Sequence, residues 1–105
     1  MSALRRYEIL VPLRFNDGRP VPEALLAQTF GELRERFGAA SWETQPLRGE
    51  WEQGGIVYQD DLTRFFVDVP DLPEHRDFFR EFKERLKRRF DQLDIWVTSH
   101  PLDVI

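Results

Sequence analysis

The sequence predicts an α+β domain, spanning residues 1–105, in which two helices pack on one face of a four-stranded antiparallel sheet. Three observations predict it: a period-two alternation near the N-terminus, two apolar stripes at helical spacing, and hairpin turn residues between them. Apolar residues make up 41% of the 105 positions and include nine Phe, enough for one core. The absence of cysteine excludes disulfides, thiolate metal sites and cysteine nucleophiles.

The first strand and the first helix follow from local patterns. Apolar and other side chains alternate from Tyr7 to Phe15, which predicts a strand with one buried face. The turn residues 16–18 end it. Pro22 suits the first helical position and Gly38 the C-terminal stop, so a helix is expected over 22–37. Its apolar stripe comprises Leu26, Phe30, Leu33 and Phe37.

The middle of the chain predicts a long β-hairpin with an irregular, acidic outer half. Pro46 marks the first strand as an edge strand, because proline has no N–H for a neighbouring strand. Gln53-Gly54-Gly55 is a turn signal. Asp60-Asp61 predicts an interruption of the second strand, after which alternation resumes over 62–69.

A second helix and a final strand complete the order. Asp71 and Glu74 have the spacing of a capping box, with Pro73 in the first turn. A second apolar stripe follows, formed by Phe79, Phe82, Leu86 and Phe90. The segment 93–99 predicts the last strand, ended by His100-Pro101. Its expected buried face comprises Leu93, Ile95 and Val97.

Strand, helix, strand, strand, helix, strand is the ferredoxin-like βαββαβ order, with the first and third strands central and the others at the edges. Pro12 conflicts with a central strand and must lie at a bulge or an unpaired position. Gly49-Glu50-Trp51, leading into the Gly54-Gly55 turn, resembles small bacterial proteins of uncharacterised function with a ferredoxin-like layout. The resemblance implies the fold and no activity. The sequence itself indicates no cofactor, and its two histidines have no metal-ligand spacing.

One face of the predicted sheet has no helix to cover it, and apolar patches of this kind are rare in monomers. Three interpretations remain open. In the first, strand parity is slipped or the C-terminal tail covers the face; in the second, a second copy packs on it as a homodimer; in the third, the face binds a small molecule or protein partner, which is compatible with dimerisation. The residues expected on this surface are Leu10, Arg14, Arg64, Phe66, Trp96 and His100.

His100 is the candidate for acid–base chemistry on that face. Beside Trp96, it could act as a general base or bind an anion together with Arg14. That hypothesis describes an enzyme of the dimeric α+β barrel kind, isomerase- or oxygenase-like, with Arg14 or Arg64 as anion clamp. The competing interpretation is an exposed histidine at a strand end.

Charge is unevenly distributed along the chain. Residues 39–62 contain five acids and one base, whereas residues 80–89 contain six bases and two acids. A basic face recurs at helical spacing on the second helix: Arg76, Arg80, Lys83 and Lys87. It could contact phosphates, a regulatory partner or the acidic hairpin 50–61 of another subunit, or it is simply a solvated face. The net charge of −4 argues against nucleic acid as a partner.

The longest apolar run near the N-terminus is Ile9-Leu10-Val11, too short for a signal core or a membrane span. We therefore expect a cytoplasmic protein without a membrane partner. The preferred hypothesis is a homo-oligomer that binds a small molecule or a protein partner through its open sheet face.

Overall fold

The computed structural model describes residues 3–105, which form a four-stranded antiparallel sheet with two helices on one face. The elements are β1 Leu4–Pro12, α1 Glu23–Phe37, β2 Ser41–Gln53, β3 Ile56–Pro70, α2 Pro73–Arg89 and β4 Trp96–Leu102. The order in the sheet is β2-β3-β1-β4, so β1 and β3 are central. The predicted ferredoxin-like fold is confirmed.

The register of β1 separates the side chains into two faces. Ile9 lies opposite Phe65 of β3 and Val97 of β4. These odd-numbered positions face the helices, and Ile9 and Phe65 are fully buried there. The even-numbered positions face away from the helices and form the open face.

Aromatic side chains fill the space between sheet and helices. Tyr7 of β1 stacks on Phe79 of α2, with ring centroids 4.2 Å apart, and Phe37 of α1 stacks on the same ring at 5.5 Å. Leu33 and Phe82 complete the contact between the helices and the sheet and are fully buried. Burial of each such side chain contributes about 1.5–3 kcal/mol, so the two stripes anchor both helices.

The two helices begin and end differently from one another. Gly38 ends α1 in the left-handed conformation, φ 79°, and its N–H donates to Arg34, as predicted. The predicted capping box of α2 is wrong, because Leu72 is the N-cap residue and no side chain caps the helix. Asp71 instead accepts a hydrogen bond from Arg5 Nε at 3.0 Å, which takes its carboxylate away from the helix N-terminus.

Pro12 fits a central strand because its neighbour on one side has already ended. The Leu13 N–H donates to the Asp61 carbonyl at 2.9 Å, so odd-numbered N–H groups of this strand point toward β3. The nitrogen of Pro12 therefore points to the β4 side. Pairing with β4 stops at Leu10 opposite Trp96, so the missing N–H removes no ladder hydrogen bond.

The hairpin is irregular in a different place from the one predicted. β3 runs unbroken through Asp60-Asp61, so the predicted interruption is wrong. The irregularity lies in β2, where the register shifts between Glu43 and Leu47. Proline lies inside that shift at position 46, where its missing N–H disturbs no regular ladder.

Thr63 holds the two strands together at this irregularity. It is 2% exposed, and its hydroxyl donates to the Glu43 carbonyl at 2.8 Å. The same oxygen accepts from Trp42 Nε1 at 2.9 Å. One hydroxyl thus replaces ladder bonds that the register shift removes.

The last strand begins and ends later than predicted. It starts at Trp96 rather than Leu93 and continues through Pro101 to Leu102. Leu93 is 95% exposed, so its expected burial is wrong, whereas Ile95 is 1% exposed. The reversal after α2, where Asp91 has φ 52° and Asp94 accepts the Ile95 N–H, places Leu93 in the connection before the strand.

We expect Thr63→Val to lower the free energy of unfolding by about 1–3 kcal/mol, because it leaves the Trp42 N–H and the Glu43 carbonyl unpaired near the core. Urea unfolding followed by fluorescence measures the change. Thr98→Val, the same substitution at a half-buried strand position, should cost clearly less. Equal losses in the two variants would contradict the assigned role of Thr63.

Candidate functional site

A concave groove of about 990 Å³ lies at the β1–α1 end of the open face. Four parts of the chain form its walls: the open face itself, the loop after β1, the outer part of the hairpin, and the connection between α2 and β4. We call hairpin residues 47–60 the hairpin extension. Its lining residues include Leu10, Arg14, Trp51, Tyr58, Asp60 and Trp96.

The hairpin extension reaches beyond the rest of the sheet. The ladder between β1 and β3 stops at Pro12 opposite Leu62. From Asp60 outward, the described strands β2 and β3 pair only with each other, as in Trp51 opposite Tyr58. A two-stranded ribbon has marginal stability in water unless a face packs on something else. The extension is thus the part of the fold that would gain the most stability from packing against another surface.

One face of this extension is apolar and continuous with the open face. The register places Leu47 opposite Leu62 and Trp51 opposite Tyr58, on the same side as Leu62. Trp51 is 48% exposed, and Ile56, on the same face, is 57% exposed. The other face is polar, with Arg48 opposite Asp61 and Glu50 opposite Gln59.

Two of the aromatic rings in the groove are held in place by neighbours. Trp51 stacks on Tyr58 with ring centroids 4.3 Å apart and planes 16° apart. The Trp51 indole N–H donates to Asp60 Oδ2 at 3.1 Å. Trp96 forms the other wall and is 63% exposed. The groove therefore presents flat π surfaces from two different directions.

The charged groups that face the groove are two carboxylates and one guanidinium. Asp60 and Asp94 contribute the carboxylates. Arg14 supplies a positive charge and donates to the Gly18 carbonyl at 3.0 Å. The Lys83 ammonium, 3.0 Å from Asp94 Oδ1, donates a hydrogen bond that lowers the pKa of Asp94.

Five of the six predicted surface residues divide into two groups. Leu10, Arg14 and Trp96 line the groove together. Arg64 and Phe66 lie on the open face beside it, inside a charged network. Arg64 bonds to Glu8 at 3.1 Å and to Glu43 at 2.9 Å.

Phe66 is half-buried, although it lies on the open face. The guanidinium carbons of Arg6 and Arg64 lie 4.5 and 4.9 Å from its ring centroid. Arg6 in turn binds Asp68 at 2.7 Å. Cations that cover an aromatic face stabilise it and shield it from water. The open face is therefore apolar at the groove end and charged at the centre.

His100 does not lie near the groove. It is opposite Arg6, at the far end of β4, four residues or roughly 13 Å along the strand from Trp96. Arg14 lies beyond the opposite end of β1, more than roughly 20 Å from the Arg6 position. The structure therefore does not bring His100 and Arg14 together, and His100 is exposed on an edge strand.

The predicted basic face of α2 is partly neutralised by acids on the same surface. Lys87 pairs with Glu84 at 3.1 Å and Arg80 with Asp77 at 3.5 Å. Lys83 pairs with Asp94, as described above. Arg76, Arg80 and Lys83 also line a second, smaller pocket on the helix side of the sheet.

Sequence reasoning missed Trp51 and Tyr58 as residues of the groove. The signal was present, because Leu47, Trp51, Ile56 and Tyr58 share one face of a regular hairpin. Within residues 3–105, no three or more His, Asp or Glu side chains are grouped so that they could hold a metal ion. No helix in that range is long and apolar enough to cross a bilayer.

Comparisons with known proteins show the fold and not a family. Neither a family model nor a curated protein matches the chain significantly. Solved structures do match. A divalent cation tolerance protein (Cut A1) from Thermus thermophilus is 16% identical, with TM-score 0.65, 97% of this chain and 86% of that chain covered. CutA1 from Oryza sativa is 9% identical, with TM-score 0.67, 99% and 84% covered.

A phage SAM lyase solved in complex with S-methyl-5'-thioadenosine is also similar. It is 13% identical, with TM-score 0.70, and the match covers 99% of this chain and 92% of that chain. At these identities the likeness concerns the path of the backbone. The ferredoxin-like arrangement is thus shared with proteins of different described roles. The function of the groove therefore depends on its side chains and not on the fold.

We expect Lys83→Met to return the pKa of Asp94 toward its ordinary value, because the hydrogen bond from the ammonium is lost. Carboxyl NMR titration measures this directly. A carboxylate whose pKa is lowered by folding stabilises the protein above its ordinary pKa, and that contribution is lost as the pH falls through the folded pKa. The stability difference between wild type and variant should therefore be present at neutral pH and shrink in acid. Arg76→Met removes the same charge from α2 and should leave the Asp94 titration unchanged; an equal shift there would contradict the assignment.

Proposed function

We propose that this protein self-associates through the apolar side of the hairpin extension and the adjoining open face, and that the groove binds a small, flat organic molecule of the nucleoside type. The observation that carries the proposal is the convergence of three partly exposed aromatic rings, Trp51, Tyr58 and Trp96, on one groove. Exposed rings on one concave surface are characteristic of binding sites.

The size and chemistry of the groove support a small-molecule ligand. Its volume of about 990 Å³ is at the upper end of the range of ligand pockets, roughly 300–1,000 Å³. Stacking of a base on an aromatic side chain contributes about 1–3 kcal/mol. Asn16 and Gln92 also line the groove and offer amide groups that can bond to base edges or ribose hydroxyls.

The case for self-association comes from the hairpin extension. The side chains of its apolar face are 40–57% exposed, and the described chain offers no third strand to either of its outer edges. A second copy carries the same apolar face and can bury it symmetrically. Packing there would also close the open side of the groove.

The phage SAM lyase supports the ligand class. That protein has this backbone arrangement and was solved with S-methyl-5'-thioadenosine, a molecule with a purine ring. The enzyme hypothesis based on His100 gains no such support, because His100 and Arg14 lie at opposite ends of the sheet. The proposal is therefore limited to binding.

We expect light scattering to give a mass at least twice the 12.5 kDa of one chain, because the apolar face is buried between copies. Trp96→Glu and Ile56→Glu should shift the population toward monomer, since each places a charge in that interface. Leu93→Glu is the matched control, because Leu93 is exposed outside the groove.

Wild-type protein that remains monomeric at high concentration would overturn the self-association proposal. So would dissociation by Leu93→Glu as complete as that by Trp96→Glu. Either result would leave the groove itself to be tested with a ligand.

We expect S-methyl-5'-thioadenosine to bind saturably and to perturb the NMR signals of the Trp51 and Trp96 indoles, with Trp42 little affected. Trp51→Ala should weaken binding about tenfold or more, because a stacking surface is lost. Leu93→Ala should bind as wild type does. Absence of saturable binding by this compound and by adenosine would reject the nucleoside class while leaving the oligomer unaffected.

A further inference from the structure

A second pocket, of about 140 Å³, lies between α2 and β4 on the helix side of the sheet. It shares no lining residue with the groove. Three bases of α2 border it, and β1 and β4 contribute hydroxyl groups. These residues are Arg76, Arg80, Lys83, Tyr7 and Ser99.

Tyr7 at the wall of this pocket carries an unpartnered hydroxyl. The side chain is 3% exposed, and its hydroxyl has no hydrogen-bond partner among the described residues. The ring is fixed by stacking on Phe79, with planes 8° apart. Buried hydroxyls in proteins nearly always have a partner. A donor held in this position at a basic pocket points to an acceptor that comes from outside the chain.

The charges around the pocket also favour an anion. No carboxylate of the described residues lies within ion-pair distance of Arg76. The Arg80–Asp77 pair is 3.5 Å long, and both side chains are about 70% exposed, so it holds Arg80 weakly. The Ser99 hydroxyl accepts from Arg5 Nη1 at 3.1 Å, which leaves its own hydrogen to donate.

We propose that this pocket binds a phosphate group, either inorganic phosphate or a small phosphomonoester. Guanidinium and hydroxyl donors together match the oxygens of a tetrahedral dianion. The pocket is smaller than the roughly 300 Å³ of sites that enclose a whole organic ligand, so it would hold the phosphate and leave the remainder of an ester outside. This site is independent of the proposed function of the groove.

The test is calorimetric titration of the full chain at low ionic strength with inorganic phosphate and, separately, with glycerol 3-phosphate. Tyr7→Phe should weaken binding about tenfold, because a hydrogen bond to a charged acceptor is lost. Its thermal unfolding without phosphate should stay unchanged or rise, because an unpaired hydroxyl is removed while the stacked ring remains. That combination separates a binding role from a structural one.

Arg76→Gln should weaken binding by a similar factor, and Arg88→Gln is its matched control. Arg88 is an exposed base of the same helix that does not line the pocket. Preference for glycerol 3-phosphate would identify a phosphomonoester site, and equal or tighter binding of inorganic phosphate a free-phosphate site; both results support the proposal.

Three kinds of result would overturn it. The first is an absence of saturable phosphate binding at low ionic strength. The second is equal weakening by Arg76→Gln and Arg88→Gln, or unchanged affinity in Tyr7→Phe, which would indicate diffuse attraction to a basic helix. The third is tight, steeply salt-dependent binding of an oligonucleotide that all the charge variants weaken alike, which would identify a nucleic-acid surface instead.

Discussion

The register of β1 between β3 and β4 is the constraint on which the rest of the structure depends. It places Ile9 between Phe65 and Val97 toward the helices, and Leu10 between Arg64 and Trp96 on the open face. A slip of one residue would exchange the two faces of β1 and turn its buried side chains Tyr7, Ile9 and Val11 away from the helices. Both cavities exist because of this parity: Tyr7 reaches the phosphate pocket on one side, and Leu10 the groove on the other.

The parts of the fold that the sequence could predict are those with a repeating local signal. Alternation from Tyr7 onward indicated the buried face of β1, and Gly38 indicated the end of α1. The sequence-based predictions were wrong where the same residues are compatible with two local structures. Asp60-Asp61 resembles the interruption of a strand. In a two-stranded ribbon that has no buried face, however, charged side chains do not interrupt the strand. Leu93 resembles the start of a buried strand, but apolar spacing does not show where the chain turns.

The sequence predicted which face of the sheet carries the candidate site, but not how far the site extends along that face. Strand parity placed Leu10 and Trp96 together, because cross-strand neighbours follow from topology. Parity does not measure distance along a strand, so it could not show that His100 lies at the far end of β4. Trp51 and Tyr58 line the groove only because the hairpin extends beyond the rest of the sheet. That extension is a non-local property, which a local sequence pattern does not show.

Lys83 connects the two sides of the sheet. It lines the phosphate pocket, and its ammonium lies 3.0 Å from Asp94, whose side chain lines the groove. An anion bound in the pocket would therefore lie near the same ammonium that pairs with Asp94. The basic helix α2 and the groove thus meet at one ion pair, which joins Lys83 to Asp94.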